Sequence, residues 1–160
     1  MIIVTGATGT TGSEIVKLLN EAGIKVRALV KDMSRADDIA GPMVELAEGD
    51  FDKPHTLVGA MQGVDRLYML VPFDPREVEY QMNLINAARQ AGVRYIVKHS
   101  ALGASLDSPA QVLRDHREVE MELERAGFTN TILRPQTFMQ NVLMQAPSIL
   151  RDDLRSDAIR

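Results

Sequence analysis

Two rhythms of apolar residues alternate along this chain. Short runs rich in β-branched residues, MIIVT at the start and KVRALV soon after, flank a segment whose apolar positions recur at helical spacing. In that segment, SEIVKLLNEAG, residues Ile15, Leu18, Leu19 and Ala22 share one face and Gly23 closes the helix. A weaker helical stretch around 34–40 leads to a third strand, MVELAEGDF, ending at Gly49-Asp50, and KPHTLVGAMQG reads as a short helix. VDRLYMLVP is nearly continuous in apolar character, the pattern of a strand covered on both faces, and Pro72 stops it. A long helix follows in DPREVEYQMNLINAARQAG, with Val78, Met82, Ile85 and Ala88 on a stripe between Pro75 and Gly92. RYIVKHS is a fifth strand. Ser108-Pro-Ala-Gln111 reads as a capping serine, a proline in the first turn and a glutamine at the third position of a helix reaching about Ala126. TNTILRP supplies a sixth strand, QTFMQNVLMQAP a loop and short helix, and SILRDDLRSDAIR a charged tail. Strands alternating with helices imply right-handed crossovers and a parallel sheet, so the expected fold is α/β, doubly wound, with about six strands. Ligands of such sheets sit beyond the carboxyl ends of the strands.

Composition narrows the candidates for function. The 160 residues suit a single core, and 45% hydrophobic with 25% charged residues is the balance of a water-soluble globular domain. A net charge of −4 offers no general attraction to polyanions, so nucleic acid is not an expected partner. The absence of cysteine excludes disulfides, thiolate metal sites and a cysteine nucleophile, and fits a cytoplasmic setting. No basic leader precedes the first apolar run, which stops at Val4, and no stretch has the length of a membrane span; neither targeting nor membrane anchoring is expected. Three scattered histidines predict no metal site.

The first turn carries the strongest chemistry. In MIIVTGATGTTGSE, Gly6, Gly9 and Gly12 follow a strand directly and precede an amphipathic helix. The backbone N–H groups of that helix's first turn lack intrahelical partners and, with the positive end of the helix dipole, attract a phosphate. Gly6 permits the tight turn, Gly9 lets a pyrophosphate reach the backbone, and Gly12 lets the helix lie close on the strand. Thr8, Thr10 and Thr11 sit between and beside these glycines and complete the expected cradle. The plain alternative is a flexible turn; the strand–turn–helix context favours a dinucleotide.

VTGATGTTG has the GxxGxxG spacing of the short-chain dehydrogenase/reductase superfamily, and with GDF, AGVRYIVKHS and TILRPQTFMQN the chain resembles its atypical NmrA-like branch over roughly residues 1–145. The resemblance implies a Rossmann-type NAD(P)-binding domain over 1–145, followed by the charged tail over 146–160. It also implies one of two functions: an NADPH-dependent reductase of quinone-like, azo or triphenylmethane acceptors, or a regulator that senses the dinucleotide without turning it over. A sugar-nucleotide epimerase is a more distant reading. Fold alone does not choose among them. Proteins of that branch continue into a lobe that closes over substrate, so this chain is expected to be naturally short or a piece of something longer, lacking most of that lobe. A second subunit, as in a homodimer, is one way to cover the mouth.

Cofactor choice turns on the end of the second strand. The superfamily pattern puts the ribose-binding acid of NAD enzymes near Val30, which cannot accept a hydrogen bond, whereas Lys31 and Arg35 suit the extra phosphate of NADP(H), which is favoured over NAD(H). Asp32 keeps the NAD alternative open, and a solvated loop is the bland one. By the same resemblance Asp50 contacts the adenine amino group, or else merely caps a turn, and Val71, Pro72 and Phe73 line the nicotinamide ribose. The superfamily's Tyr-x-x-x-Lys pair is missing; His116 and Glu120 stand in the corresponding positions. His116 shares a helix face with Val112, Leu113, Val119 and Leu123, so it is expected to face the sheet and to donate a proton, with Glu120 raising its pKa; a histidine satisfied at the helix edge is the alternative. Ser100 is the expected catalytic hydroxyl and His99 a substrate-lining group. Strand alternation forbids Lys98 and His99 from both facing the site. Pro135 turns the chain off the sheet, so that Phe138, Met139 and Asn141 begin a substrate pocket or simply cover the core.

Overall fold

A computed structural model describes residues 1–136 and 138. In chain order the elements are β1 (Ile2–Val4), α1 (Thr10–Glu21), β2 (Val26–Val30), two 3-10 turns (Met33–Arg35 and Asp37–Ile39), β3 (Val44–Glu48), α2 (Pro54–Ala60), β4 (Arg66–Met69), α3 (Glu77–Ala91), β5 (Tyr95–His99), α4 (Gln111–Arg125) and β6 (Thr129–Leu133). The six strands form one sheet in the order β3-β2-β1-β4-β5-β6, every pair parallel. Strand order reverses between β1 and β4, which share the register Ile2↔Arg66 to Val4↔Tyr68. A parallel sheet opens its ligand crevice at that point.

Strand alternation sorts the core into two layers. Val4, Val26, Ala28 and Val30 face α1, where they bury Val16 with Ala36 and Ile39 of the 3-10 turns. Ile3, Leu29, Leu67, Met69 and Ile96 face the other way and pack on Leu57 of α2, Leu84 and Ile85 of α3, and Val119 and Leu123 of α4. Each large aliphatic side chain removed from water in this way contributes about 1.5–3 kcal/mol. The weak helix expected around 34–40 is the pair of 3-10 turns, the first capped by Asp32 accepting from Ser34 N–H.

One start signal is corrected. α4 begins at Gln111 with Ala110 as its N-cap, two residues beyond the point at which the serine cap would open it. The Ser108 hydroxyl instead takes the Ala110 N–H at 3.3 Å, and its carbonyl accepts from Arg114 at 2.5 Å, so Ser108 closes a turn ahead of the helix. No helix among the described residues is long and apolar enough to cross a membrane. The tail over 146–160 lies outside the described residues.

Candidate dinucleotide site

β1 ends against β4 through Thr5, whose hydroxyl donates to Leu70 O at 2.7 Å and accepts from Leu70 N–H at 2.9 Å. This tie holds the end of β4 beside the turn that leaves β1. Gly6 makes the turn with φ +61°, a left-handed conformation that a side chain would strain. A Cβ on Gly12 would stand 2.1 Å from Gly6 O and 2.9 Å from Ala7 Cα, so α1 lies directly on the backbone it follows. The Gly9 N–H is already bonded to Gly6 O at 3.0 Å, and the helix ladder begins with Ser13 N–H on Gly9 O at 2.9 Å. The amides of Thr10, Thr11 and Gly12 therefore remain as the first-turn donors without an intrahelical partner at the head of the helix.

That turn opens into a cleft of about 630 Å³ across the carboxyl ends of β1 to β4. Of the residues predicted from sequence, Gly6, Thr8, Gly9, Thr10, Thr11, Lys31, Asp50, Val71, Pro72, Phe73 and Phe138 line it. Gly12 is buried beneath, in a supporting place. Asn141 and Met139 lie outside the described residues, as does the side chain of Arg35. Leu29, Gly49, Phe51, Asp52, Leu70, Asp74 and Tyr80 also line the cleft and were missed. The rule that ligands sit beyond the strand ends was the available signal, since most of these residues directly follow β3 and β4.

The rim between β2, β3 and α3 is a chain of charges. Lys31 Nζ lies 3.2 Å from Asp50 Oδ1 and 3.8 Å from Asp52 Oδ2, and Arg76 reaches Asp52 Oδ1 at 2.6 Å. The hydrogen bond to Asp50, and its charge, hold Lys31 above the usual lysine range. Burial raises Asp50, but the Asp52 N–H and Lys31 outweigh it and leave that carboxyl lowered. Asp50 Oδ1 accepts from Asp52 N–H at 3.1 Å in addition to pairing with Lys31. Asp32 caps its 3-10 turn, taking Ser34 N–H at 2.9 Å and the Ser34 hydroxyl at 2.6 Å, while Val30 is buried at the strand end. Behind the rim, the Phe51 and Tyr80 rings meet at 5.6 Å between centroids. Phe73, 85% exposed, stands at the mouth.

His99, Ser100 and His116 do not line this cleft. Ser100 is buried, and its hydroxyl donates to Glu120 Oε1 at 2.6 Å, toward α4. His99 faces the opposite side of the sheet and meets the Tyr68 hydroxyl through Nδ1 at 2.9 Å. The expected influence of Glu120 on His116 is present in direction but outweighed, so the net shift is the reverse of the one expected. Glu120 is fully buried and held by Arg134 through both oxygens (2.9 and 2.5 Å) and by Arg117 at 3.1 Å. Burial would raise Glu120, yet Arg134, Ser100 and Arg117 together lower it to about 2. His116 Nδ1 instead stands 3.3 Å from Lys98 Nζ. Burial and the Lys98 charge push His116 down to about 4 against the smaller pull of Glu120, so its imidazole is neutral at neutral pH.

A family model for NAD(P)H-binding proteins matches residues 6–154, from the glycine turn onward. The chain belongs to the NAD(P)H-binding family. The chain is 41% identical over 149 residues to an NAD(P)H azoreductase of Xenophilus azovorans, covering 93% of this chain and 52% of that protein. It is 31% identical over 153 residues to quinone oxidoreductase 2 of Escherichia coli, covering 94% and 53%. The solved structure of an NADPH-dependent quinone oxidoreductase of Escherichia coli complexed with NADPH superimposes with a TM-score of 0.86 at 30% identity, over 96% of this chain and 55% of that one. This NAD(P)H-binding chain thus spans about half the length of the curated relatives it matches.

Proposed function

We propose that the chain binds NADP(H) in preference to NAD(H) and serves as the dinucleotide-binding part of a reductase of quinone-like or conjugated small molecules. The observation that carries this is the Gly6–Gly12 turn, whose first-turn amides open onto a cleft of about 630 Å³ ending in exposed aromatic side chains. In this reading the diphosphate lies on the amides of Thr10 to Gly12, and the adenosine lies along Asp50 and Phe51. Lys31, beside Asp50 and Asp52 at the rim, would hold the 2′-phosphate. Val30 at the strand end and the engagement of Asp32 in its turn support NADP(H). The names of the azoreductase and quinone oxidoreductase relatives support the acceptor class.

Reduced nicotinamide supplies a hydride when bound. The protein must then position an acceptor above it and deliver a proton. Phe73 and Phe138 offer apolar surface for a planar acceptor; His116 stands outside that lining, so the reading requires the acceptor to extend past it toward α4, where the neutral imidazole would donate a proton from the nitrogen that does not face Lys98. The sensing alternative is favoured by one observation, the commitment of the Ser100 hydroxyl to Glu120 and away from the cleft.

Calorimetric titration with NADPH and NADH tests the first part. Loss of one charge-assisted contact to the 2′-phosphate is worth roughly 1.5 kcal/mol, so NADPH should bind about tenfold more tightly. Equal affinities would overturn the preference, and a folded protein that binds neither at millimolar concentration would overturn the whole reading. Acceptor-dependent NADPH oxidation with quinones, at about 1 per second or faster, separates reductase from sensor.

A further inference from the structure

On the α3 and α4 side of the sheet lies a charged cluster that the dinucleotide reading leaves unused. Lys98, on β5, is fully buried. Its Nζ donates to Gln81 Oε1 at 2.5 Å and stands 3.3 Å from His116 Nδ1. Two carboxylates act on the same ammonium, Glu77 from α3 and Glu120 from α4, though neither forms an ion pair with it among the described residues. Glu77 Oε1 and Gln81 Nε2 are buried without hydrogen-bond partners. An ion pair kept for stability would be closed on itself; this cluster encloses an ammonium without a contacting counter-charge, at a cost that points to a function.

The donor inventory decides what the contact means. An ammonium has hydrogens to give and no lone pair to receive with, so at 3.3 Å His116 Nδ1 must be the acceptor and the ring proton must sit on Nε2. We infer that Lys98 is the positioning residue for His116, fixing its Nε2–H tautomer and passing a proton through the imidazole to the reduced acceptor. This rests on the reductase reading of the site. As hydride reaches the acceptor, an acceptor oxygen takes the proton from Nε2 and Nδ1 takes one from Lys98 Nζ. The ring stays neutral and Lys98 is left as an amine. After product leaves, solvent protonates Nε2 and the Nδ1 proton returns to Lys98.

The energetics agree with this direction. Burial pushes Lys98 down to about 8 against the pull of Glu120 and Glu77. A phenol-like product oxygen holds its proton to about 10, as tyrosine does, so the transfer runs downhill. Glu77 and Gln81 on α3, Asp115 and Glu120 on α4, and His99 on β5 are the other polar groups that bear on the pair.

Histidine nitrogen NMR on the full chain tests the tautomer directly: at pH 7, His116 should carry its proton on Nε2 with Nδ1 bare. In Lys98→Met combined with Gln81→Leu, which leaves no orphan amide, that preference should vanish and the His116 pKa should rise. Lys98→Arg should keep the tautomer but lack the proton, because guanidinium does not release one. With a quinone acceptor, wild-type kcat should fall above about pH 8, while both variants lose that limb and about 100-fold in kcat with KM and NADPH affinity retained. A cationic or Nδ1-protonated His116 at pH 7 overturns the inference, as does an alkaline limb that survives in either folded variant. Should wild-type protein bind NADPH yet reduce no acceptor, the reductase reading fails with the relay, and the NMR result alone then decides the tautomer assignment.

Discussion

Two neighbouring stretches of the same sheet edge are built from different materials. Between β1 and β3 the cleft is shaped by backbone: Gly6 turns with φ +61°, Gly12 admits the helix, and the head of α1 keeps first-turn amides without intrahelical partners. On the α3 and α4 side of β5 the shaping passes to side chains. The volume is filled by side-chain charge, with Glu120 held by Arg134, Arg117 and Ser100, and Lys98 set between Gln81 and His116. The first region is shaped to receive a charged ligand, whereas the second already supplies most of its own counter-charges. Damage to the first should therefore appear in cofactor binding, and damage to the second in stability and pH dependence.

The largest expected effect breaks the charge-filled side. Glu120→Ala leaves Arg134 and Ser100 facing an emptied carboxylate site and should cost about 3–5 kcal/mol in urea unfolding while leaving NADPH affinity unchanged in the folded fraction. The same residue gives an acid signature. Its folded pKa of about 2 lies below the ordinary 4.5, so its contribution is complete above pH 4.5 and is lost as pH falls toward 2. A flat stability profile across that window would count against the network.

Next in size, Gly12→Ala attacks the backbone side. Its Cβ would stand 2.1 Å from Gly6 O, and α1 must move off the turn. A loss of about 3 kcal/mol is expected, accompanied by loss of dinucleotide binding, the joint effect that Glu120→Ala should lack. Retained NADPH binding in a titration would show that the first-turn amides do not form the cradle.

Lys31→Ala sharpens the contrast at smaller amplitude. The side chain is 70% exposed, so melting should barely change, while NADPH affinity should fall about tenfold and NADH affinity hold steady. Equal losses for the two nucleotides would assign Lys31 to the shared part of the cofactor.

His116 is expected to give the smallest effect. Its folded pKa of about 4 lies below the ordinary 6.5, so the unfolded chain takes up a proton that the fold refuses, and stability declines as pH drops through that interval. His116→Asn should remove that slope, on the order of 1 kcal/mol after allowance for partial exposure. An unchanged slope would place the titration elsewhere.

The parallel sheet, its six strands and the Gly6–Gly12 turn were legible from residue pattern, because strand period, helix period and the demand for missing side chains are local properties of the chain. Local chemistry misled at Ser108, where a sequence that suits a helix cap is used as a turn two residues ahead of the actual cap. At His116 the spacing to Glu120 was read correctly as one helix face, but the groups approaching that face from β5, α3 and the end of β6 could not be seen. Lys98 could be placed at the end of β5, opposite in facing to His99, but its partners Gln81 and His116 come from α3 and α4 and no local spacing reveals them.

The sequence by itself determined the order of elements and the glycine turn, since those depend on what each residue permits its own backbone to do. Tertiary structure alone decided which charge meets which. Glu120 goes to Arg134 and Ser100 and His116 goes to Lys98 because a buried charge must be balanced by whatever the fold places within reach, and that choice is made across distances in sequence that no local spacing records.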